Sequence, residues 1–465
     1  DPALSWCLSV QWHPERPEQR GAAFPVNEAP ADTPAPQSGG TTGFAAFRHR
    51  DFTFAFTARI FNNMATRMLQ VTIGWEVWRI TQSELMLGYV GLAMFLPNML
   101  FFLVAGEAAD RFPRRRILAI AYGFQAVIAA AILVAFSGDD PAMGLVLFLL
   151  FLMGTGRSFA QPATLALIPN LVPKGIFPNA VAWANSGQHV STIIGPVLGG
   201  FLIEYGTKAG FGATFAFATV TAVIGIAALA ISLIRSTAQT MNRAPVTLET
   251  IFAGAKFIWN RQIILGAITL DLFAVLLGGA TALFPVFATD ILHLGASGLG
   301  LLHSAFAIGA VSCALVLTQL PVKRGAGKKF FAAVAFYGIG IIIFGLSEIV
   351  WLSLAALTLA GVSDMVSVFI RHNMIQFATP DDMRGRVMAV HGVFTGGSGQ
   401  LGEFESGAVA EFIGPVGSVV VGGIGTIAVA LIFAKYFPNL RRVDALEADH
   451  VMAASEKAAA EAGAA

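Results

Sequence analysis

Residues 85–137 read LMLGYVGLAMFLPNMLFFLVAGEAADRFPRRRILAIAYGFQAVIAAAILVAFS. Two apolar stretches, 85–109 and 115–137, flank a short turn carrying Asp110, Arg111, Arg114, Arg115 and Arg116. Each stretch supplies the roughly 20 residues that carry an α-helix across a bilayer. Neither alternates with the period of two of a barrel strand, and both run too long for one, so both read as helices. The basic turn reads as a cytoplasmic loop, since lysine and arginine collect on that side.

The same pattern recurs along the chain. Twelve apolar stretches are expected as spans: 52–78, 85–109, 115–137, 142–165, 179–204 and 211–234, then 263–289, 297–320, 328–347, 350–377, 386–412 and 415–437. The composition agrees: of 465 residues 55% are hydrophobic and 12% charged, about half the usual charged share of a soluble domain. The mean hydropathy is +0.69. The fold class is therefore all-α integral membrane, with twelve transmembrane helices in two pseudo-symmetric six-helix bundles and the lipid bilayer as a partner. The expected domains are a disordered cytoplasmic tail over 1–46, bundles over 47–237 and 263–438, a linker over 238–262, and a second cytoplasmic tail over 439–465. No signal peptide is expected ahead of the first span, and the natural start is expected to lie elsewhere than Asp1, which is not a methionine. Within the linker, Pro245 to Arg261 has the pattern of an amphipathic surface helix, with Ile251, Ala255 and Ile258 on one face.

Charge orients the chain. Alternate loops hold fifteen lysines and arginines, including Lys174, Arg235, Lys328, Lys329, Arg384 and Arg386, against only Arg79 and Lys208 in the opposite loops. Both termini are then expected on the cytoplasmic side. A net charge of +1 offers no concentrated basic surface, which argues against a nucleic-acid partner. Cys7 and Cys313 are too few for a disulfide scaffold or a multi-cysteine metal site. No clustered catalytic set stands out, so no catalytic residue, metal or cofactor is expected.

The halves resemble each other. Val172-Pro-Lys-Gly-Ile-Phe-Pro-Asn-Ala-Val-Ala182 aligns without a gap on Thr379-Pro-Asp-Asp-Met-Arg-Gly-Arg-Val-Met-Ala389, an offset of 207. Carried forward, the offset pairs Gly195 with Gly402 and Gly200 with Gly407; carried back, it pairs Arg157 with Asp364. Parallel six-helix repeats mark a transporter whose substrate site lies between the halves near mid-bilayer.

Three groups of residues carry candidate mechanism. The first is Gly106, Asp110, Arg111, Arg114 and Arg115 where the second stretch meets the cytoplasm, facing Arg384 and Arg386 at the start of the eleventh. Asp110 can meet the positive N-terminal end of another helix and latch the two halves; loop topology alone also explains the basic residues. The second is Gly187, Gly195, Pro196, Gly199 and Gly200 on the fifth stretch, a smooth seam for a neighbouring backbone, or ordinary small-residue packing. The third is a set of polar residues inside spans: Arg59, Asn62, Asn63, Gln70, Arg157, Asp271, Asp364, Arg371 and Glu403, with Arg67, Glu405, His189 and His391 also present. Ionisable groups in hydrocarbon are costly, so each is a coupling or cavity candidate, or a member of a structural pair. Asp271 and Glu403 are the preferred proton carriers. Glu405 is rotated about 200° from Glu403 and should not share its cavity. The eleventh stretch, rich in glycine from Gly392 to Gly407, is a candidate moving element.

The loop from Gly106 to Arg115, the Gly195-Pro196-Val-Leu-Gly199-Gly200 helix and the fourth-stretch Arg157 together resemble the major facilitator superfamily over residues 46–438. Pro113 stands where the loop signature has a second glycine. Pro169-Asn-Leu-Val-Pro173, Leu270-Asp271-Leu-Phe, Thr379 to Arg386 and Gly402-Glu-Phe-Glu-Ser-Gly407 resemble its enterobactin-exporter-like and drug-efflux branch. The resemblance implies a monomeric transporter in the bacterial inner membrane, exporting a siderophore or amphiphilic small molecule by alternating access. Its energy source would be the proton gradient, through antiport. Uptake or lipid flipping on the same fold stays open, and an embedded enzyme or receptor is the remaining alternative.

Overall fold

The computed structural model describes residues 43–138, 141–167, 170–235, 248–320, 322, 324–447 and 451. Residues 1–42 of the expected disordered tail over 1–46, the linker residues 236–247 and the C-terminal residues 452–465 lie outside the described residues. Residues 43–46 correct that expectation, with Ala45 and Ala46 buried in a 3-10 turn (Ala45–Arg48) and the Ala46 N–H donating to Asn179 Oδ1 at 3.2 Å.

The described residues form long helices and no strand. In chain order these are α1 (Arg50–Thr81), α2 (Glu84–Arg111), α3 (Arg114–Ala135), α4 (Met143–Leu167), α5 (Phe177–Lys208) and α6 (Thr214–Ser232). The second half holds α7 (Leu248–Trp259), α8 (Gln262–Leu277), α9 (Gly295–Gln319), α10 (Ala326–Leu346), α11 (Val350–Phe377), α12 (Asp381–Tyr436) and the short α13 (Pro438–Arg442). Their ends follow local chemistry. Gln82 closes α1 in the left-handed conformation, and the Ser83 hydroxyl accepts the Met86 N–H to start α2. Gly325, also left-handed, donates its N–H to Asp444 ahead of α10.

Among the described residues, ten segments are long and apolar enough to cross a membrane. α1 falls short of that composition because Arg50, Asp51, Arg59, Arg67, Glu76 and Arg79 lie along it. α12, at 56 residues, would measure about 84 Å if straight, far beyond the ~30 Å hydrocarbon core. It therefore turns back at Gly414, whose φ of 77° suits glycine, followed by Pro415, which has no N–H to continue the ladder. With α1 counted and α12 divided there, the described residues hold twelve legs, and the turn falls in the expected gap between 412 and 415. The amphipathic linker helix is present as α7, packed on α12 with Gly254 against the Arg386 carbonyl.

The expected seventh span is not one regular helix. α8 stops at Gly278-Gly279, a 3-10 turn covers Ala280–Leu283, and a short helix and a π-turn carry the chain to Ile291. A Cβ at Gly279 would strike the Gly402 backbone of α12, and the Tyr337 hydroxyl donates to the Gly278 carbonyl at 2.8 Å. The freed backbone is thus held by α10 and α12 rather than by its own helix, as irregular backbone at membrane depth requires.

Within the first half α1 packs on α5 and α6, and α3 and α4 complete the set with α2; in the second, α9 packs on α11, and α10 and α8 pack on α12. The halves meet chiefly through α2 on α12 and α5 on α9. Under the repeat, α2 corresponds to α9 and α5 to the first arm of α12, so these contacts exchange with one another. The aligned glycines do the same. Gly195 abuts α1 at Met64 and Arg67 while Gly402 abuts α8 at Val275 and Leu276. Gly200 meets α9 at Ala296 and Ser297 while Gly407 meets α2 at Glu84 and Gly88.

Candidate functional site: a cavity between the halves

The buried apolar side chains divide unevenly. One core draws on both halves, from Ala65 through Leu302 to Val419. Toward the end where the basic loops lie, two separate cores take over, one within 46–234 and the other within 258–451. The halves are therefore joined at one end and parted at the other. At the joined end Gly88 packs on the Phe404 backbone, Trp78 Nε1 donates to Thr289 Oγ1 at 2.9 Å, and Ser304 Oγ donates to the Ile193 carbonyl at 2.6 Å.

Between the halves lies a cavity of about 440 Å³, lined from α1, α2, α4, α5, α9, α11, α12 and the turn after α8. Its charged residues are Arg67, Arg157 and Glu403, joined by His189 and His303 and the amides of Gln70, Asn98, Gln161 and Gln400. Toward the basic end Gln161, His189 and Gly392 to Gly396 are exposed, so the cavity opens that way. Arg157 is itself exposed although it sits in mid-helix, because it projects into this space.

Glu403 is placed by the break after α8. Thr281, on the 3-10 turn, donates to Glu403 Oε1 at 3.1 Å. The carboxylate lies over Gly91 of α2, where any Cβ would collide with it. Arg67 and Arg157 line the same cavity. Arg67 also donates to Gln70 Oε1 at 3.4 Å.

Of the expected coupling and cavity set, Gln70, Arg157 and Glu403 line the cavity and the other six do not. Arg59 sits in a small recess inside the first half with Tyr122 and Thr164. Asn62, five residues before Arg67, is turned about 140° from it and is buried. Asn63 donates to Gln188 Oε1 at 2.5 Å, tying α1 to α5. Asp271 and Arg371 form a buried ion pair between α8 and α11. Asp364 is half-buried on α11 and absent from the cavity lining, so the repeat partner of Arg157 lies outside the cavity. Glu405 is likewise absent from the cavity lining.

The latch residues do not meet across the halves. Arg111 pairs with Glu107 at 2.6 Å, Arg114 donates to the Ala166 carbonyl and Arg115 to that of Ser232, each at 2.7 Å. Arg384 pairs with Asp381 at 2.6 Å, and Arg386 reaches Met383. Gly106 has no neighbour where its side chain would be. The seam is two-sided: Gly187, Gly195 and Gly199 press on α1, whereas Gly200 and the Pro196 carbonyl meet α9 at Ala296 and Gly300.

Arg67, noted in the sequence as a further intramembrane charge, lines the cavity, whereas Thr281, Gly91 and His303 escaped the expected site set. Nothing in the sequence singled out Thr281, Gly91 or His303. Among the described residues no cluster of three or more His, Cys, Asp and Glu is placed to hold a metal.

Residues 41–462 match the model of the transmembrane secretion effector family. The enterobactin exporter EntS of Citrobacter koseri is 26% identical over 402 residues, which is 85% of this chain and 93% of that one. In fold the chain is similar to a solved POT family transporter in complex with a thioalcohol-conjugated peptide, at a TM-score of 0.66 and 11% identity over 84% of this chain and 96% of that one. It is also similar to a bacterial homologue of the human lysosomal transporter Spinster, solved inward-facing and unoccupied, with a TM-score of 0.62 and 14% identity over 88% and 97% of the two chains. With the family match running through nearly all of the described residues, the chain belongs to the transmembrane secretion effector family of the major facilitator superfamily, and it is a multi-pass membrane transporter, not an enzyme.

Proposed function

We propose that the protein exports a small molecule, siderophore-like or amphiphilic, by alternating access, with the proton gradient as its energy source. The observation that carries the cycle is the mid-membrane cavity, sealed by a core common to both halves at one end and open where the two cores part. Rocking the halves about that site would expose the same residues to the other side. Export is favoured over uptake by the family's description as a secretion effector and by the exporter relatives. On this reading the chain works as a monomer in the bacterial inner membrane, with both termini and the basic end in the cytoplasm. Glu403 is the proton-carrying group and exchanges its proton as access alternates, since it alone among the preferred acids lines the cavity.

Transport into everted vesicles under an imposed proton gradient tests this reading, with catecholate siderophores set against cationic dyes. Uptake that rises with the gradient and falls when it is collapsed is the expected result. Accumulation indifferent to the gradient removes the antiport mechanism, and accumulation only in right-side-out vesicles reverses the direction.

A further inference from the structure

We propose that the cavity takes its substrate as an organic anion, and that Arg157 binds the anionic group. The inference rests on reading the cavity as the substrate site, and it adds a charge class to that reading.

The charges in the cavity are unbalanced. Two guanidiniums, Arg67 and Arg157, face one carboxylate, Glu403. Glu403 already accepts the Thr281 hydroxyl. Among the described residues no hydrogen bond or ion pair reaches the Arg157 guanidinium, although it stands in the middle of α4. The other acids singled out within the spans are not available to it: Asp271 is paired with Arg371, and Asp364 and Glu405 lie outside the cavity.

A guanidinium at mid-bilayer is costly unless water or an anion satisfies it. It presents five donors in a planar fork that matches a carboxylate or a catecholate oxygen pair. Counting the two guanidiniums against the one carboxylate, the cavity carries one positive charge in excess, and a substrate with a single anionic group balances it. A cationic amphiphile would instead add a second uncompensated charge in the same low-dielectric space. A membrane potential negative on the cytoplasmic side also favours the outward passage of an anion.

The test compares salicylate with salicylamide, which share ring and hydroxyl and differ in charge, by saturation-transfer NMR on the protein in lipid nanodiscs. Salicylate is expected to bind about tenfold or more tighter, the factor a charge-assisted hydrogen bond supplies. Arg157→Gln should bring salicylate down to the level of the amide, Arg157→Lys should keep part of the preference, and Arg59→Gln, outside the cavity, should bind as the unaltered chain does. Retained salicylamide binding shows that Arg157→Gln is folded, and the comparison on the unaltered chain needs no variant. Equal binding of the two probes, or salicylate binding unchanged in Arg157→Gln, would overturn the proposal. Failure of vesicle export alongside a clear salicylate preference would remove the export reading and leave the anion site standing.

Discussion

Replacing Arg371 by methionine separates a structural ion pair from a transport residue. The pair with Asp271 joins α8 to α11, and the two side chains are 2% and 6% exposed. Methionine fills much of the arginine stem's volume, so little packing is lost. What remains is a carboxyl group at a depth where water does not reach. Breaking such a pair from one side typically costs about 3–5 kcal/mol, or roughly two to three and a half orders of magnitude in the folded-to-unfolded ratio. Uptake of a proton by Asp271 would trim that figure. Removing the second charge as well, in Asp271→Asn/Arg371→Met, should recover most of the loss, because paired burial is close to neutral against an apolar substitute. Equilibrium unfolding in mixed micelles, followed by tryptophan fluorescence, gives the free energies; proteoliposome transport then gives the function. The double variant should be nearly as stable as the unaltered protein and should keep gradient-driven transport. Equal instability in single and double variants would refute the pair as the source of the effect. A stable double variant without gradient dependence would make Asp271, after all, the proton carrier.

Three further outcomes follow from the same geometry. Gly200→Val drives methyl groups into the Ala296 carbonyl and Ser297. Overpacking of about 1–3 kcal/mol at this joint should move the population toward the state parted there, seen as longer spin-label distances between positions 208 and 411; an unchanged distribution refutes the joint. Glu403→Gln should leave downhill exchange of substrate in place while abolishing its acceleration by a pH gradient, and persistent acceleration would exclude Glu403 as the coupling group. Asp110→Asn should slow turnover with KM nearly unchanged and stability within about 0.5 kcal/mol, because Asp110 joins nothing across the halves in the described state. A defect confined to KM would refute the latch role.

The helices were legible because hydrocarbon leaves the backbone no other partner, so apolar length alone locates them. The turn at Gly414 was legible too, as a Gly-Pro step between two apolar runs. The break at Gly278-Gly279 was not, since the run 263–289 stays apolar across it and its backbone is satisfied by Tyr337 and α12, residues far away in sequence. The same limit governed the charges. Composition places Asp271, Arg371 and Glu403 within spans, but which helix each one faces depends on rotation and neighbours. Asp271 and Arg371 are 100 positions apart with no shared periodicity to announce their pairing. Arg67 and His303 reach the cavity from helices whose inner faces no local pattern marks.

The repeat did carry that missing information for small residues, and its failure for charged ones is instructive. Gly195 and Gly402, and Gly200 and Gly407, occupy equivalent contacts because a backbone-to-backbone approach must be met on both sides of a pseudo-two-fold joint. Arg157 and Asp364 are aligned just as well, yet one lines the cavity and the other does not. Packing is thus shared by the halves while chemistry is divided between them. The two ends of the molecule differ in the same spirit. The joined end is held by close glycine contacts and a common apolar core, whose separation exposes surface at about 25 cal/mol per Å². The basic end offers mainly solvated pairs such as Arg111–Glu107 and Arg384–Asp381, each worth no more than about 1 kcal/mol. Each pair lies within a single helix and so does nothing to hold the halves against the apolar joint. On the proposed reading the difference comes from the cavity, where an anion at Arg157 or a proton at Glu403 would change the balance of charge in a low-dielectric space, and Asp110 with its neighbouring arginines would hold the state so selected.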